Sequence, residues 1–241
     1  MKHKSKFILA ALLSLLGFTA SFIDFSAIDI ELPSFMDEVF YQESISAEEL
    51  IDIPEFNGEN VVVKVNQNRP DFTEEELSLS NGYWQKFSDL DYLNRVGKAE
   101  AMLHRELMPT EDRGDISNVY PTGWNQKKLA DGQWLYNRSH SIGHQMTGED
   151  ANWKNLFTGT QQLNQIYMVQ YENEVANYLR QTNNHVRYRV TPLFRDQELL
   201  PRAVQMEAQS IEDDEIAFNI IIHNVQDGVA INYQTGIATV K

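Results

Sequence analysis

The sequence predicts an α+β fold in which a mixed or antiparallel sheet is flanked by helices. Short segments rich in β-branched and aromatic residues, typical of strands, occur both before and after one long amphipathic stretch with helical spacing. The chain contains no internal repeat, no GxGxxG loop and no P-loop. A strand pattern interrupted by one helix of this length is typical of an α+β domain.

The first predicted strand is the β-branched run Val61 to Val65. It is bounded by Asn and Gly on one side and by Asn-Gln-Asn-Arg-Pro on the other. Residues 89–107 carry apolar residues at helical spacing, interrupted at Gly97, which favours a broken helix. Pro109 and the polar run 111–115 then indicate a loop.

The second half of the chain combines short strands with one helix. A short aromatic strand, Trp134 to Tyr136, leads into Asn137-Arg138-Ser139-His140. A helix is predicted over residues 163–181, with Thr160 as its cap. Alternation with period two over residues 186–190, and apolar runs over 216–223 and 229–233, predict three further strands.

The composition limits the chemistry, and the first residues predict export. The chain has 241 residues and no cysteine, which excludes disulfides, cysteine nucleophiles and zinc-thiolate sites. Residues 1–23 have the basic, apolar and small-residue order of a signal peptide. No clean A-x-A site follows, so a membrane tether through residues 7–23 is the alternative to cleavage. We therefore expect a secreted or cell-surface protein.

The net charge of −15 is unevenly distributed. Residues 24–80 hold 15 Asp or Glu against 2 Lys or Arg, whereas residues 81–241 hold 20 against 15. We predict that residues 24–59 are an acidic flexible segment and that residues 60–241 form the folded domain. An acidic segment could also occupy a basic groove as an electrostatic mimic of nucleic acid.

Four polar residues form a constellation suited to phosphodiester hydrolysis. Arg138 and His140 lie at the end of a predicted strand, and Asn164 and Glu172 lie on the helix that follows. Hydrolysis needs a base to activate water, a cation to neutralise charge on the phosphate oxygens, and help for the leaving alkoxide. His140, a metal on Asn164, and Arg138 could supply all three.

These residues resemble the DNA/RNA non-specific endonuclease family with its ββα-metal core, and most closely its streptodornase-type secreted DNases. The similar segments are Asn137-Arg138-Ser139-His140, an altered form of the family's Asp-Arg-Gly-His, Asn152-Trp153-Lys154-Asn155-Leu156, Gly159-Thr160, and the Asn164 and Glu172 pair. Residues 90–96 and 107–110 are similar as well, so the resemblance spans about residues 60–241.

The resemblance implies a nuclease domain that cuts DNA, with RNA as an alternative substrate and little sequence preference. His140 is expected to be the general base, with Mg²⁺ held by Asn164 and otherwise by water, and Mn²⁺ able to replace it. Glu172 is expected to act on the metal through water. Arg138 is expected to position the histidine loop or to contact phosphate.

Four further basic residues, Arg113, Lys154, Arg187 and Arg189, are predicted to bind the substrate. Arg187 and Arg189 project from the same face of one predicted strand, where they could touch phosphate. Ordinary pairing with the abundant carboxylates is an equally open interpretation for these two and for Lys154.

The chain departs from the family pattern at two places. Asn137 and Ser139 replace Asp and Gly, and Ala176 stands where an arginine is often found one turn after the helix glutamate. Arg113, Arg180 or the region of Gln161 could compensate, and we favour Arg113. The missing arginine also supports a rival hypothesis, in which the chain is an exported DNA-binding protein with impaired catalysis.

Two other interpretations concern His144 and the tryptophans. His144 follows His140 by four residues, which would allow a shared zinc on a helix, but Gly143 and the absence of an H-E-x-x-H glutamate argue against it. The tryptophans are predicted to be core residues rather than base-stacking platforms, because a duplex would be read through its backbone. They are Trp84, Trp124, Trp134 and Trp153.

Overall fold

A computed structural model describes residues 44–45 and 53–240 of the chain, which contain a seven-stranded sheet and two two-stranded hairpins. The strands are β1 (Ser44–Ile45), β2 (Val62–Val65), β3 (Trp84–Phe87), β4 (Ala99–Leu103), β5 (Tyr136–His140), β6 (Leu156–Thr160), β7 (Val186–Leu193), β8 (Ala203–Ser210), β9 (Ala217–His223), β10 (Val229–Ile231) and β11 (Ala238–Val240). The helices are α1 (His144–Thr147) and α2 (Val169–Gln181), and a π-helical turn (Leu163–Met168) leads directly into α2.

The large sheet has the order β1-β2-β9-β8-β7-β4-β3. β1 pairs with β2 in parallel, and the other neighbours pair antiparallel. The remaining strands form the antiparallel hairpins β5-β6 and β10-β11. The predicted α+β class with a mixed sheet is therefore confirmed.

One face of the large sheet packs against α2. In β7 the alternate residues Val186, Tyr188 and Val190 are buried in the same apolar cluster as Val175 and Leu179 of the helix. Successive side chains of a strand point to opposite faces, so this alternation fixes the face that meets the helix. Each fully buried Val or Leu side chain stabilises the fold by about 1.5 to 3 kcal/mol.

The opposite face of β7 carries a buried ionic network. The guanidinium of Arg187 donates to Glu100 Oε1 at 2.6 Å, and that of Arg189 donates to Glu207 Oε2 at 2.8 Å and to Glu76 Oε1 at 2.9 Å. Both guanidinium groups also lie over the ring of Phe72, at 4.9 and 4.5 Å from its centroid. Bonded charges of this kind are costly to separate once they are buried.

The β5-β6 hairpin and the start of α2 form a ββα unit. His140 pairs with Leu156, and Tyr136 pairs with Thr160. At the end of β6 the Thr160 hydroxyl accepts a hydrogen bond from the Leu163 backbone N–H at 3.0 Å, as predicted for a helix cap. The buried side chain of Asn224 fastens this end of the hairpin, because its Oδ1 accepts from the Thr160 N–H at 2.8 Å.

Two predicted elements differ from the structure. Residues 89–107 do not form a broken helix, since they form a loop, strand β4 and a 3₁₀ turn at Arg105–Leu107. The buried Ala99, Ala101 and Leu103 alternate along β4, and pairing with β7 outweighs a local helical spacing. The strand expected at Trp134 to Tyr136 begins only at Tyr136 and includes the whole Asn137 to His140 motif.

The predictions for residues 1–43 lie outside the described residues. Within the predicted acidic segment 24–59, β1 pairs with β2, and Glu55 forms an ion pair with Arg195. No helix among residues 44–45 and 53–240 is long and apolar enough to cross a membrane.

Candidate active site

The end of the hairpin and the first turns of the helical segment enclose a cavity of about 330 Å³. Its wall brings together three of the predicted catalytic residues, His140, Glu172 and Arg138, with the predicted metal ligand Asn164 and with Arg113. Gly143, His144, Gln145, Gln165 and Val169 complete the wall. Strand β5 supplies the histidine and Arg138, and the helical segment supplies Asn164 and Glu172.

The imidazole of His140 is almost fully buried and makes two hydrogen bonds. Nε2 lies 3.0 Å from the backbone oxygen of Asp150, and Nδ1 lies 3.2 Å from the NH2 nitrogen of Arg113. A carbonyl oxygen can only accept, so Nε2 carries the proton and Nδ1 presents its lone pair. This neutral tautomer is the one that can take a proton through Nδ1.

Burial first and the positive charge of Arg113 second lower the pKa of His140 to about 4, a shift that the hydrogen bond to the Asp150 carbonyl opposes. The imidazole is therefore unprotonated at neutral pH. A histidine that serves as a base must be unprotonated before the reaction begins.

The loop that follows His140 is held by the buried side chain of Asn155. Its Oδ1 accepts from the Ile142 N–H and its Nδ2 donates to the Ile142 carbonyl, both at 2.9 Å. The Ser141 N–H donates to the backbone oxygen of Asn155 at 2.8 Å. Because these contacts replace the pairing that ends with β5 and β6, Asn155 fixes the path of the chain beside the catalytic strand.

Asn164 and Glu172 face the same cavity because the helix begins with a π turn. Asn164 lies in the turn Leu163–Met168, where the spacing of five residues places it above Val169. Glu172 follows Val169 by three residues, which is one α-helical turn. Asn164 and Glu172 therefore lie on the same face of the helical segment, although they are eight residues apart.

The Glu172 carboxylate is closely packed against the histidine loop. A Cβ added to Gly143 would lie 3.0 Å from Glu172 Oε1. Any larger residue at this position would therefore force the carboxylate to move. Burial raises the pKa of Glu172 to about 7, and the charge of Arg113 opposes this shift. Beneath it, the buried hydroxyl of Tyr188 has no hydrogen-bond partner among the described residues.

The donors in the cavity fit a hard divalent cation such as Mg²⁺. Among residues 53–240, neither the Asn164 amide nor the Glu172 carboxylate makes a hydrogen bond, so both oxygens are left for a ligand in the cavity. The same residues contain no group of three or more His, Cys, Asp or Glu arranged to hold a metal. One amide and one carboxylate suit Mg²⁺, which keeps most of its waters, and do not suit a tetrahedral zinc site.

Arg138 holds a neighbouring loop in place. Its guanidinium donates to the backbone oxygens of Val119 and, at 2.7 Å, of Ser117, and it lies 4.4 Å from the centroid of the Trp124 ring. These bonds occupy one edge of the guanidinium, while the residue still lines the cavity. These contacts hold the loop at residues 117–119 rather than the histidine loop, and both roles expected of Arg138 stay predictions.

Three residues predicted to bind substrate do not line the cavity. Arg187 and Arg189 lie on the far face of the sheet in the ionic network described above, so their predicted placement at the substrate is wrong. Both arginines pair with carboxylates, as the alternative interpretation predicted. Lys154 is also absent from the wall and pairs with Asp89 at 2.7 Å on the surface. Only Arg113 of the four lies in the cavity.

The helix turn after Glu172 offers no cation to the cavity, because Ala176 is fully buried in the core. One turn further along α2, Arg180 lines an adjoining groove of about 520 Å³ together with Arg105, Arg113 and His144. Its NH2 nitrogen donates to Gln145 Oε1 at 3.3 Å. Glu111 and Asp112 also line this groove, so three arginines and two carboxylates continue from the cavity along the surface.

Sequence reasoning missed Asp150 and the roles of Gly143 and Asn155. Asp150 orients His140 through its backbone oxygen, and its Oδ2 accepts from the Gly114 N–H at 3.0 Å, which fixes the chain next to Arg113. Every residue has a backbone oxygen, so the sequence does not show which one will accept a hydrogen bond from His140. Only the resemblance over Asn152 to Leu156 pointed to this segment.

The prediction that the tryptophans are core residues is wrong for two of them. Trp134 and Trp153 are 52 % and 49 % exposed. Trp134 lines a further pocket that shares Arg113, Arg138 and Asn164 with the cavity. Trp153 lines a separate pocket with none of these residues.

The fold and the cavity are those of a nuclease. The structure is similar to the crystal structure of NucA from Streptococcus agalactiae with magnesium ion bound, at 29 % identity and a TM-score of 0.65, over 74 % of this chain and 86 % of that one. It is also similar to the structure of Sda1 nuclease with bound zinc ion, at 26 % identity and a TM-score of 0.56, over 64 % and 80 % of the two chains. An extracellular endonuclease shares the fold at 20 % identity and a TM-score of 0.55.

Residues 77–212, more than half of the chain, match the model of the DNA/RNA non-specific endonuclease family. The chain belongs to this family. The predicted family and the nuclease class are confirmed.

Proposed function

We propose that this protein is an exported, Mg²⁺-dependent endonuclease that hydrolyses DNA with little sequence preference, with His140 as its general base. The observation that carries the proposal is the buried imidazole of His140, which lines one cavity with Asn164, Glu172 and Arg113 and whose Nδ1 accepts a hydrogen bond from Arg113. A base, oxygen ligands and a cation are the groups that phosphodiester hydrolysis requires.

His140 is prepared for proton transfer by its surroundings. Its Nε2–H is held by the Asp150 carbonyl, so the ring cannot rotate without losing a buried hydrogen bond. Nδ1 then takes the proton of the attacking water. The imidazolium that results is stabilised by the same carbonyl, which accepts from Nε2 throughout.

Arg113 contributes the positive charge next to the base. Its guanidinium has five N–H donors, of which one faces His140 Nδ1 in the free protein. A phosphate in the cavity would draw this planar group towards its own oxygens and release Nδ1 for water. Arg113 thereby takes the part that the arginine missing at Ala176 would have played.

Asn164 and Glu172 would hold Mg²⁺, which when bound supplies Lewis-acid neutralisation of the phosphate and leaving oxygens. The Asn164 side-chain oxygen offers a direct ligand, and Glu172 accepts hydrogen bonds from water in the cavity. Gly143 and the π turn keep these two side chains on one wall. Support for the metal also comes from NucA, whose crystal structure has magnesium ion bound. We propose that Mn²⁺, a similar oxygen-preferring cation, can replace it.

DNA is proposed as the substrate because the chain belongs to a family of DNA/RNA endonucleases and the cavity adjoins a groove that contains arginines. Arg105, Arg113 and Arg180 lie along it. Such residues bind backbone phosphate irrespective of sequence, and this binding weakens as salt increases. We propose export from the order of residues 1–23, with support from similarity of fold to an extracellular endonuclease.

Nicking of supercoiled plasmid tests the proposal against the rival hypothesis of a DNA-binding protein with impaired catalysis. Residues 24–241 are incubated with plasmid in Mg²⁺, in Mn²⁺ and in EDTA, and binding is measured in parallel by a gel shift in EDTA. We expect nicked and linear products with either metal and none in EDTA. A plasmid that is bound but intact under every condition would favour the rival.

A further inference from the structure

The pocket beside Trp134 extends the candidate active site on the side away from the arginine groove. It has a volume of about 290 Å³ and shares Arg113, Arg138 and Asn164 with the catalytic cavity. It shares Gln165 with that cavity as well, and then continues past Ile116 and Gln126 to Trp124 and Trp134. The shared wall places the pocket with the indole directly beside the catalytic cavity.

The Trp134 ring is exposed but held in place. Trp134 forms an antiparallel bridge with Lys128, whose Nζ lies 5.1 Å from the ring centroid. The neighbouring backbone is fixed by hydrogen bonds from the Leu135 N–H to Lys127 and from the Leu129 N–H to Gln133, both at 2.8 Å. A large apolar ring that is kept half-exposed by its backbone, rather than folded into the core, is available to a ligand.

Side-chain amides connect this ring to the catalytic helix. Gln161 Nε2 donates to Gln133 Oε1 at 2.7 Å and lies 3.4 Å from Gln165 Oε1. Gln133 precedes Trp134 in the chain, and Gln165 follows Asn164. Of these three residues Gln165 lines the pocket, and its amide can both donate and accept hydrogen bonds, so it can meet the edge of any base without selecting one.

We propose that Trp134, with the Gln165 amide beside it, forms a stacking subsite for an unpaired nucleobase next to the scissile phosphate. This inference rests on the proposed nuclease function and adds a preference for single-stranded or locally opened DNA. A base in a duplex is already stacked between its neighbours, whereas an unpaired base can rotate onto the indole. The Lys128 ammonium lies over one face of the ring, so the base would stack on the other face.

Equilibrium binding in EDTA, where the metal is removed, tests this subsite. The probes are a fluorescein-labelled single-stranded 8-mer of thymidines, the same 8-mer with one central abasic site, and a duplex of equal length, all measured by anisotropy. We expect Trp134→Ala to weaken binding of the intact single strand by roughly 5- to 100-fold and to leave the duplex within about 2-fold. Trp134→Phe, which keeps an aromatic face, should retain most of the affinity.

Two controls keep the result specific. Trp153→Ala removes the other half-exposed tryptophan, which lines a pocket apart from the cavity, and should bind all three probes as the unmodified protein does. The abasic site should weaken binding to the unmodified protein and have little further effect on Trp134→Ala, because both changes remove the same contact. Equal weakening on single strand and duplex, or none on either, would overturn the subsite.

Plasmid nicking in Mg²⁺ separates this inference from the proposed function. Trp134→Ala should still nick supercoiled plasmid, because His140, Asn164 and Glu172 remain. Nicking by the unmodified protein without any effect of Trp134→Ala on single-strand binding would reject the subsite and leave the nuclease standing. No nicking by the unmodified protein would reject the nuclease, and the binding measurement would still report on the subsite.

Discussion

The NH2 nitrogen of Arg113 lies 3.2 Å from Nδ1 of His140. Nδ1 is also the atom that would receive the proton of the attacking water. The two residues are 27 positions apart in the chain and meet because Asp150 anchors both, through its carbonyl to His140 and through its carboxylate to the N–H of Gly114. A cation at this distance disfavours a protonated imidazole and can also reach a bound phosphate. The pair thus links the readiness of the base to the presence of substrate.

Replacing Arg113 should change the pH dependence of catalysis as well as its rate. Burial and Arg113 together lower the pKa of His140 to about 4, so removing the charge in Arg113→Gln should raise that pKa. The acidic limb of kcat/KM should move to higher pH, and the maximal value should fall by at least about 100-fold because charge stabilisation is lost. Arg113→Lys should keep the limb close to its original position. An unchanged limb in Arg113→Gln, measured where the variant remains folded, would show that the two groups do not interact.

Adding a methyl group at Gly143 should weaken metal binding without unfolding the protein. Gly143 has φ −62° and ψ 143°, which alanine adopts freely, so the main cost is the 3.0 Å contact with Glu172 Oε1. We expect Gly143→Ala to need about 10-fold or more Mg²⁺ for half-maximal nicking, the size typical of a perturbed outer metal contact. Gly58→Ala, at φ +91° with no atom within 4 Å of the new methyl, should lose stability and leave the Mg²⁺ requirement unchanged. The same Mg²⁺ dependence in Gly143→Ala and the unmodified protein would argue against Glu172 in this role.

Removing the Asn155 side chain should destabilise the domain. Asn155→Ala leaves the buried N–H and carbonyl of Ile142 without partners, which costs about 1 to 3 kcal/mol for each group. We expect urea unfolding to report a loss of about 2 to 6 kcal/mol in the free energy of unfolding. Asn152→Ala, which removes bonds to Lys154 and Glu149 at a partly exposed turn, is the matched control and should lose less than about 1 kcal/mol. Equal losses in the two variants would contradict the assigned role.

Acid should destabilise the fold through buried neutral histidines. Burial lowers the pKa of His223 to about 4, below its ordinary value of 6.5, and His140 is shifted in the same direction to about 4. The unfolded chain therefore binds more protons between these values, so the stabilising contribution is fully present above pH 6.5 and is lost as pH falls through about 4. Each group accounts for at most about 3 kcal/mol. His223→Gln should flatten the pH dependence of the free energy of unfolding between pH 6.5 and 4; an equally steep dependence would show that His223 is not buried in its neutral form.

The chemistry of the site could be predicted from sequence better than its placement. His140, Asn164 and Glu172 were recognisable because the segments that carry them resemble the endonuclease family, and all three line one cavity. Because Arg187 and Arg189 are two residues apart in a strand, the sequence correctly predicts that both side chains lie on one face. The same spacing does not show which face of the strand meets the helix. That choice depends on packing against α2 and on carboxylates from three distant segments.

Local periodicity also misled at β4 and did not reveal β8. The apolar spacing of residues 89–107 fits a helix, yet Ala99 to Leu103 pair with β7 as a strand, because long-range hydrogen bonds outweigh weak propensity. In β8, buried Glu207 interrupts the apolar pattern that marks a strand, since its charge is balanced by Arg189 across the sheet. The π turn that aligns Asn164 with Glu172 has no signature in the sequence.

The most direct test of the central claim is the single-turnover rate of plasmid nicking by His140→Ala, compared with His144→Ala as a matched control. His144 lines the same cavity but lies 3.5 Å from Asp150 Oδ1 and has no contact with the proposed metal ligands among those described. We predict that His140→Ala loses at least about 10²- to 10⁴-fold in rate while its circular dichroism and DNA binding in EDTA are unchanged. His144→Ala should stay within about 10-fold of the unmodified protein. Near-normal nicking by folded His140→Ala would contradict the account.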